Sequence, residues 1–242
     1  MSSSRVFSPL YLLLSISLLL QLAVALDPIF HECNTTSFTP NSTYNENLNT
    51  LLSQLNSTTP LTGSGNGSLG QSPDQVYGLA SCRGDINSTV CQACITSAAI
   101  EIQQYCQYKE EAIIWYEYCQ LKYSNLDFFG QIDYREAFYD ALFSNVSDPA
   151  SFNTSVINLL KVVEGQAIVS PKLFAMGSLG VGNSTTLYGL VQCTPDLSSA
   201  NCETCLDWII GFVPRYLYGK SGGIIMTGTC EFQYHTYPFE AT

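Results

Sequence analysis

Ten cysteines, two histidines and the adjacent acids Glu110 and Glu111 are the side chains of this chain best suited to covalent, metal or proton-transfer chemistry. Six of the cysteines form two copies of one frame. Cys82, Cys91 and Cys94 are spaced C-x8-C-x2-C, and Cys193, Cys202 and Cys205 repeat that spacing. A Cys-x-x-Cys pair can hold zinc when further thiolates or histidines complete a tetrahedron. His31 and His235 are the only histidines and neither has a ligand spacing, so no metal site is expected. A redox dithiol would join the two cysteines to each other in a reducing compartment, whereas the N-terminal segment of this chain reads as an export signal. Structural disulfides are therefore the expected use. The chain holds no His-Glu-x-x-His motif, and no serine nucleophile elbow is expected. Adjacent acids before a strand read as a solvated face. The reading is of no catalytic residue, no metal, no cofactor and no enzyme.

The elements that position these cysteines repeat as well. An offset of 111 residues carries Tyr77-Gly78-Leu79 onto Tyr188-Gly189-Leu190, Asp85 onto Asp196, Ile113-Ile114 onto Ile224-Ile225, Cys119 onto Cys230 and Tyr123 onto Tyr234. Two copies of one domain follow. Each copy opens on an amphipathic helix, with Leu48, Leu51, Leu52 and Leu55 in the first and Val156, Leu159, Leu160 and Val163 in the second. The Gly-rich stretches Thr62 to Ser68 and Gly177 to Gly182 read as breaks after those helices. A second helix puts Ile95, Ala99, Ile102 and Cys106 on one face, matched by Leu206, Ile210, Val213 and Leu217, with Pro214 ending or kinking it. β-branched and aromatic runs, 112–123 and 223–234, close each copy as strands. Each domain thus reads as α+β, two helices on an antiparallel sheet. The connector from Asn125 to about Asp133 is short and carries Phe128 and Phe129, which suggests domains that dock.

Arg5, the apolar run Leu10 to Leu20 and Ala23-Val24-Ala25 read as a signal peptide over residues 1–25. The run is too short to span a membrane, and no second one follows. An even number of cysteines, all beyond the cleavage point, suits an oxidising compartment. Eight sequons, at Asn34, Asn41, Asn56, Asn66, Asn87, Asn145, Asn153 and Asn183, suit a secreted glycoprotein. The formal net charge is −11. Nucleic-acid binding needs the opposite sign, because Lys and Arg must replace the counterions on phosphates.

The doubled frame, the cysteine 25 residues after Cys94, and Cys119-Gln120-Leu121-Lys122-Tyr123-Ser124-Asn125 resemble the plant cysteine-rich repeat secretory proteins. These carry ginkbilobin-homologous domains, which also form ectodomains of cysteine-rich receptor-like kinases and plasmodesmata-located proteins. The resemblance implies two such domains, 27–128 and 134–242, each with two helices on a five-stranded antiparallel sheet. It implies secretion to the apoplast and a part in stress or defence, with an unknown protein or cell-wall glycan as partner. It also implies the bridges Cys82–Cys91, Cys94–Cys119, Cys33–Cys106, Cys193–Cys202 and Cys205–Cys230. Ala141 and Leu217 stand where the second copy would hold the counterparts of Cys33 and Cys106, so both halves of one bridge are missing together. Mannose-binding members use an Asn, an Arg and a Glu at three set positions. Here those positions are Asn34, Ile113 and Ser124 in the first copy, and Leu142, Ile224 and His235 in the second. One match in six does not make a mannose site, and Asn34 itself heads a sequon.

Overall fold

The computed structural model describes residues 27–135, 137–142, 144–182 and 185–239; the expected leader and Asn183 lie outside them. The first half runs β1 (Phe30–Cys33), α1 (Thr43–Thr62), β2 (Ser64–Leu69), β3 (Val76–Cys82), α2 (Ser88–Tyr105), β4 (Glu111–Trp115) and β5 (Cys119–Ser124). The second runs β6 (Phe138–Ala141), α3 (Pro149–Ala167), β7 (Phe174–Val181), β8 (Thr185–Cys193), α4 (Ser199–Ile210), α5 (Val213–Tyr216), β9 (Gly222–Met226) and β10 (Cys230–His235). The strands form two five-stranded sheets, ordered β1-β4-β5-β3-β2 and β6-β9-β10-β8-β7. Every neighbouring pair is antiparallel.

Local chemistry explains the helices. Ser42 caps α1 by accepting from the Asn45 amide, and Gly63 ends it at φ 84°, a left-handed value that suits glycine. The leucine stripe of α1 and the Val/Leu stripe of α3 are buried against their sheets. On α2 the buried small residue is Ala98, while Ala99 is only partly covered. Pro214 splits the second helix of the second half: α4 stops at Ile210, and Pro214 sits in the first turn of the short α5.

The two Gly-rich stretches are strands, not breaks. Residues 64–69 form β2 and residues 174–181 form β7, each an edge strand paired to its neighbour. The reason is steric. Gly67 pairs with Gly78 and Gly177 with Gly189, directly under the helix stripes. A Cβ on Gly65 would come within 2.9 Å of Thr59, and one on Gly177 within 3.0 Å of Val163. On the partner strands, a Cβ on Gly78 would meet Leu51 at 2.9 Å and one on Gly189 would meet Leu159 at 3.2 Å. Glycine lets the helix lie close on the sheet, a use that imitates turn composition.

The halves meet through matching surfaces. Phe30 stacks on Phe138 at 4.7 Å, its own counterpart. Ile113, Trp115 and Met226, with Ile224 packed alongside, form a separate apolar cluster between the sheets. Counterparts facing counterparts is the pattern of a two-fold dimer interface, built here inside one chain.

Candidate functional site

The ten cysteines form five bridges and leave no free thiol. Cys82–Cys91 and Cys193–Cys202 tie the end of a central strand to the first turn of the following helix. Cys94–Cys119 and Cys205–Cys230 tie that helix to the last strand. Cys33–Cys106 fastens the edge strand β1 to the end of α2 across 73 residues. The two cysteines of each Cys-x-x-Cys therefore go to different partners, the opposite of a redox dithiol. Among the described residues no cluster of His, Cys, Asp and Glu could hold a metal ion.

The other reactive candidates are also engaged. The Glu110 carboxylate accepts from Asn125, and Glu111 is paired with Arg135 at 2.5 Å with only 15 % of its side chain exposed. This corrects the solvated-face reading: strand alternation sends the adjacent acids to opposite faces, and each finds a partner there. His31 stacks on Tyr105. His235 stacks on Tyr237, and burial pulls its imidazole below the ordinary range. Gly219-Lys220-Ser221-Gly222-Gly223 has the Gly-x-Ser-x-Gly spacing, but Ser221 leads into a strand and its hydroxyl meets that of Ser144. A nucleophile elbow turns from strand into helix beside a base.

The six positions of the mannose pattern are not gathered into a sugar site. Asn34 lines a small space of about 40 Å3 together with Glu32, Trp115 and Arg135. That holds a few waters, since each needs roughly 10–15 Å3 by this measure. The Asn34 amide nitrogen donates to Thr36, and its buried oxygen has no partner. Ile113 is covered by the second sheet, and Ser124 caps the Leu126 amide from a buried position. In the second half Leu142 packs over Gly222, Ile224 joins the interface cluster and His235 is stacked on Tyr237.

The sequons differ in access. Asn41, Asn66, Asn87 and Asn145 are exposed. Asn87 also caps α2, its oxygen accepting from the amides of Thr89 and Val90, which leaves the nitrogen side free. Asn56 is partly covered and accepts from Gln92 and Thr96. Asn153 is 8 % exposed within α3, too buried to carry a glycan on the folded protein.

Sequence reasoning missed the polar ties across the interface. Gln192, on β8, accepts from the Gly84 amide at 2.9 Å and donates to the Cys82 carbonyl at 3.0 Å and Ser81 Oγ at 3.3 Å. Trp115 donates to the Thr227 carbonyl at 3.1 Å. Lys122, buried on β5, pairs with Asp133 of the connector at 2.6 Å, and Arg135 grips the same carboxylate. Burial would raise the Asp133 carboxyl, but hydrogen bonds from Arg135 and the Lys122 charge hold it well below the ordinary carboxylate range. Buried Arg83 pairs with Asp85 and Glu117, each at 2.7 Å. Nearby, burial and then the Glu117 charge push Glu231 up to about 7. A signal was available: Ser81 and Gln192 sit at the repeat offset on strands whose neighbours are apolar. The two halves also bound a cleft of about 400 Å3, where Lys172 donates to the Gly84 carbonyl beside Pro60 and Pro171.

Two disulfide-stapled α+β repeats, docked face to face with their titratable groups tied into structural pairs, define a class of extracellular cysteine-rich repeat protein. The chain belongs to the Salt stress response/antifungal family, which matches residues 32–126 and 140–237. It is 44 % identical to the antimicrobial ginkbilobin-2-like protein of Castanea crenata, over 99 % of each chain. It is also 44 % identical to cysteine-rich repeat secretory protein 38 of Arabidopsis thaliana, over 88 % of this chain and 86 % of that one. A tandem ectodomain of the Arabidopsis receptor-like protein PDLP8 shares the fold, with TM-score 0.77 over 88 % of this chain and 100 % of that one at 24 % identity. Like its secretory relatives the protein is extracellular. No helix among the described residues is long and apolar enough to cross a membrane.

Proposed function

We propose that this is a secreted, non-catalytic interaction protein of the plant apoplast, acting in stress or defence through a protein or cell-wall glycan partner. On this reading residues 1–25 are a leader removed after Ala25, and 27–128 and 134–242 are the two units that the interface fixes into one surface. One observation carries it: Gln192 and Trp115 tie the two halves together while Lys122 holds the connector at Asp133, so both halves present a single face. Such preorganisation favours binding, because little ordering remains to be done when a partner docks. The antimicrobial name of the Castanea relative supports a defence role. A mannose lectin of the family pattern is disfavoured, since Ile113 and Ile224 pack into the interface where charged groups would be needed.

The test is a binding screen of the purified glycoprotein against cell-wall glycans and plant receptor ectodomains, with fungal growth inhibition alongside. Saturable binding without turnover is expected. Folded protein that engages none of these and leaves growth unchanged would sink the reading. Calorimetry with free mannose should show no saturable heat.

A further inference from the structure

Between the start of α1 and the end of α2 the first half carries a second cleft, of about 340 Å3. Its lining is uncharged. Asn45 and Asn49 contribute carboxamides from α1, Gln103 and Gln107 from the end of α2 and just beyond, and Phe38 and Tyr108 contribute rings. The side chains of Asn45, Asn49 and Gln107 have no hydrogen-bond partner among the described residues. Each carboxamide can donate and accept at once. The Tyr108 ring is 48 % exposed and rests edge-on against Phe38 at 6.0 Å.

Tyr108 holds this place against its backbone. Its φ is 59°, in the left-handed region that disfavours residues with a Cβ. The second half has the same backbone turn, at φ 71°, and fills it with Gly219. There Pro149, in the position of Asn41, packs so closely that a Cβ on Gly219 would lie 3.0 Å from its ring. The counterparts of Asn49, Gln103 and Gln107 are Ile157, Pro214 and Tyr218, and that of Asn45 is the buried Asn153. One copy closes the turn with the residue that fits it. The other keeps it open and places a strained tyrosine at the rim, a pattern that marks functional positions.

We propose that this cleft binds a neutral oligosaccharide, a pyranose ring lying on Tyr108 while the carboxamides of Asn45, Asn49 and Gln107 exchange hydrogen bonds with its hydroxyls. The proposal rests on the reading of the chain as a non-catalytic binding protein. The absence of charged lining selects an uncharged polyol over an anionic sugar or an ionic peptide. The site lies on the helix side of the sheet, away from the face that holds Ile113.

The test is calorimetry on enzymatically deglycosylated full-length protein, so that a glycan at Asn41 cannot occupy the cleft. The probes are cello-, xylo- and chito-oligosaccharides, with an oligogalacturonide as charged control. Saturable binding to at least one neutral probe is expected, weakened roughly tenfold or more in Tyr108→Gly and in Gln107→Ala, about the share of one good contact. Tyr108→Gly should melt no lower than the parent, because glycine suits the turn. Neutral-probe binding that survives Tyr108→Gly overturns the site, and so does a lower melting temperature, which would make the ring a structural piece. Failure of every neutral probe while another partner binds overturns the site and leaves the wider reading standing. Failure of all partners overturns both.

Discussion

The two halves share a fold and differ in how they are held. In the first, Cys33–Cys106 staples β1 to the end of α2 across 73 residues. In the second, Ala141 and Leu217 stand at those places and pack into the core instead. The first buries a charge, Lys122, and needs Asp133 to neutralise it; the second has Gln233 at the same register, buried and neutral. At these positions the second half relies on packing, while the first uses a crosslink and an ion pair. The same fold tolerates both solutions because the helix stripes and the paired glycines beneath them are common to the two.

The largest effect should come from the charge the second half avoids. Asp133→Ala leaves Lys122 buried without a counter-charge, which costs about 3–5 kcal/mol in comparable cases. Urea unfolding should show that loss. Lys122→Gln, which copies Gln233 of the second half, combined with Asp133→Asn to remove the now unneeded counter-charge, should restore most of it. If the double variant is no better than Asp133→Ala, the two halves do not differ in the way described.

Next in size is the bridge. A 73-residue loop closed by a disulfide contributes about 4–5 kcal/mol in the chain-entropy model. Cys33→Ala with Cys106→Leu, again the second half's own residues, recovers about 1.5–3 kcal/mol through burial of the leucine. A net loss of about 1–3.5 kcal/mol is expected. The complementary measurement is thermal unfolding of residues 134–242 alone, which should melt below the same unit in the full chain. Equal melting would make the halves independent.

Much of this architecture was legible in the residues. The repeat offset, the helix stripes and the terminal strands are periodic signals, and they correspond to α1, α3 and the β4–β5 and β9–β10 pairs. β2 and β7 were hidden because glycine serves two purposes. Thr62 to Ser68 has turn composition, yet within it Gly65 lies where a Cβ would come within 2.9 Å of Thr59, and Gly67 pairs with Gly78, the glycine that admits Leu51. The interface was hidden for a different reason. Ile113 and Ile224 announce apolar strands, but period-two alternation cannot say whether an outward apolar residue meets solvent, a ligand or another domain. Gln192 and Asp133 are ordinary surface types whose roles exist only once the sheets face each other.

A smaller effect is expected at that interface. Gln192→Ala removes three contacts and leaves the Gly84 amide and the Cys82 carbonyl buried without them. An unsatisfied buried group costs about 1–3 kcal/mol. The loss should appear as reduced coupling, with two separable unfolding transitions in place of one. Ser81 is the counterpart position, so Ser81→Ala, which leaves the two backbone bonds of Gln192 in place, should cost less. A reversed order would shift the tie from the Gln192 carboxamide to the serine hydroxyl.

The finest distinction lies in pH. Glu231 is pushed up to about 7, first by burial and then by the Glu117 charge, with Arg83 opposing. The carboxyl therefore holds its proton more tightly folded than unfolded, where it titrates at about 4.3. The sign follows from linkage: stability from this group is full below about 4.3 and falls as pH rises toward 7, then levels off. Asp133 acts oppositely. Its lowered carboxyl stabilises the fold at neutral pH, and that share is lost as pH falls below the ordinary carboxylate range. The two slopes fall in different windows, so they can be separated. Glu231→Gln should flatten the decline between pH 4.5 and 7 and leave the acid limb untouched, because glutamine keeps the shape without the charge. Denaturant midpoints at closely spaced pH values for the parent and this variant decide the point. An unchanged slope between pH 4.5 and 7 would mean that Glu231 ionises without penalty, its burial and the Glu117 charge being offset by Arg83 and solvent.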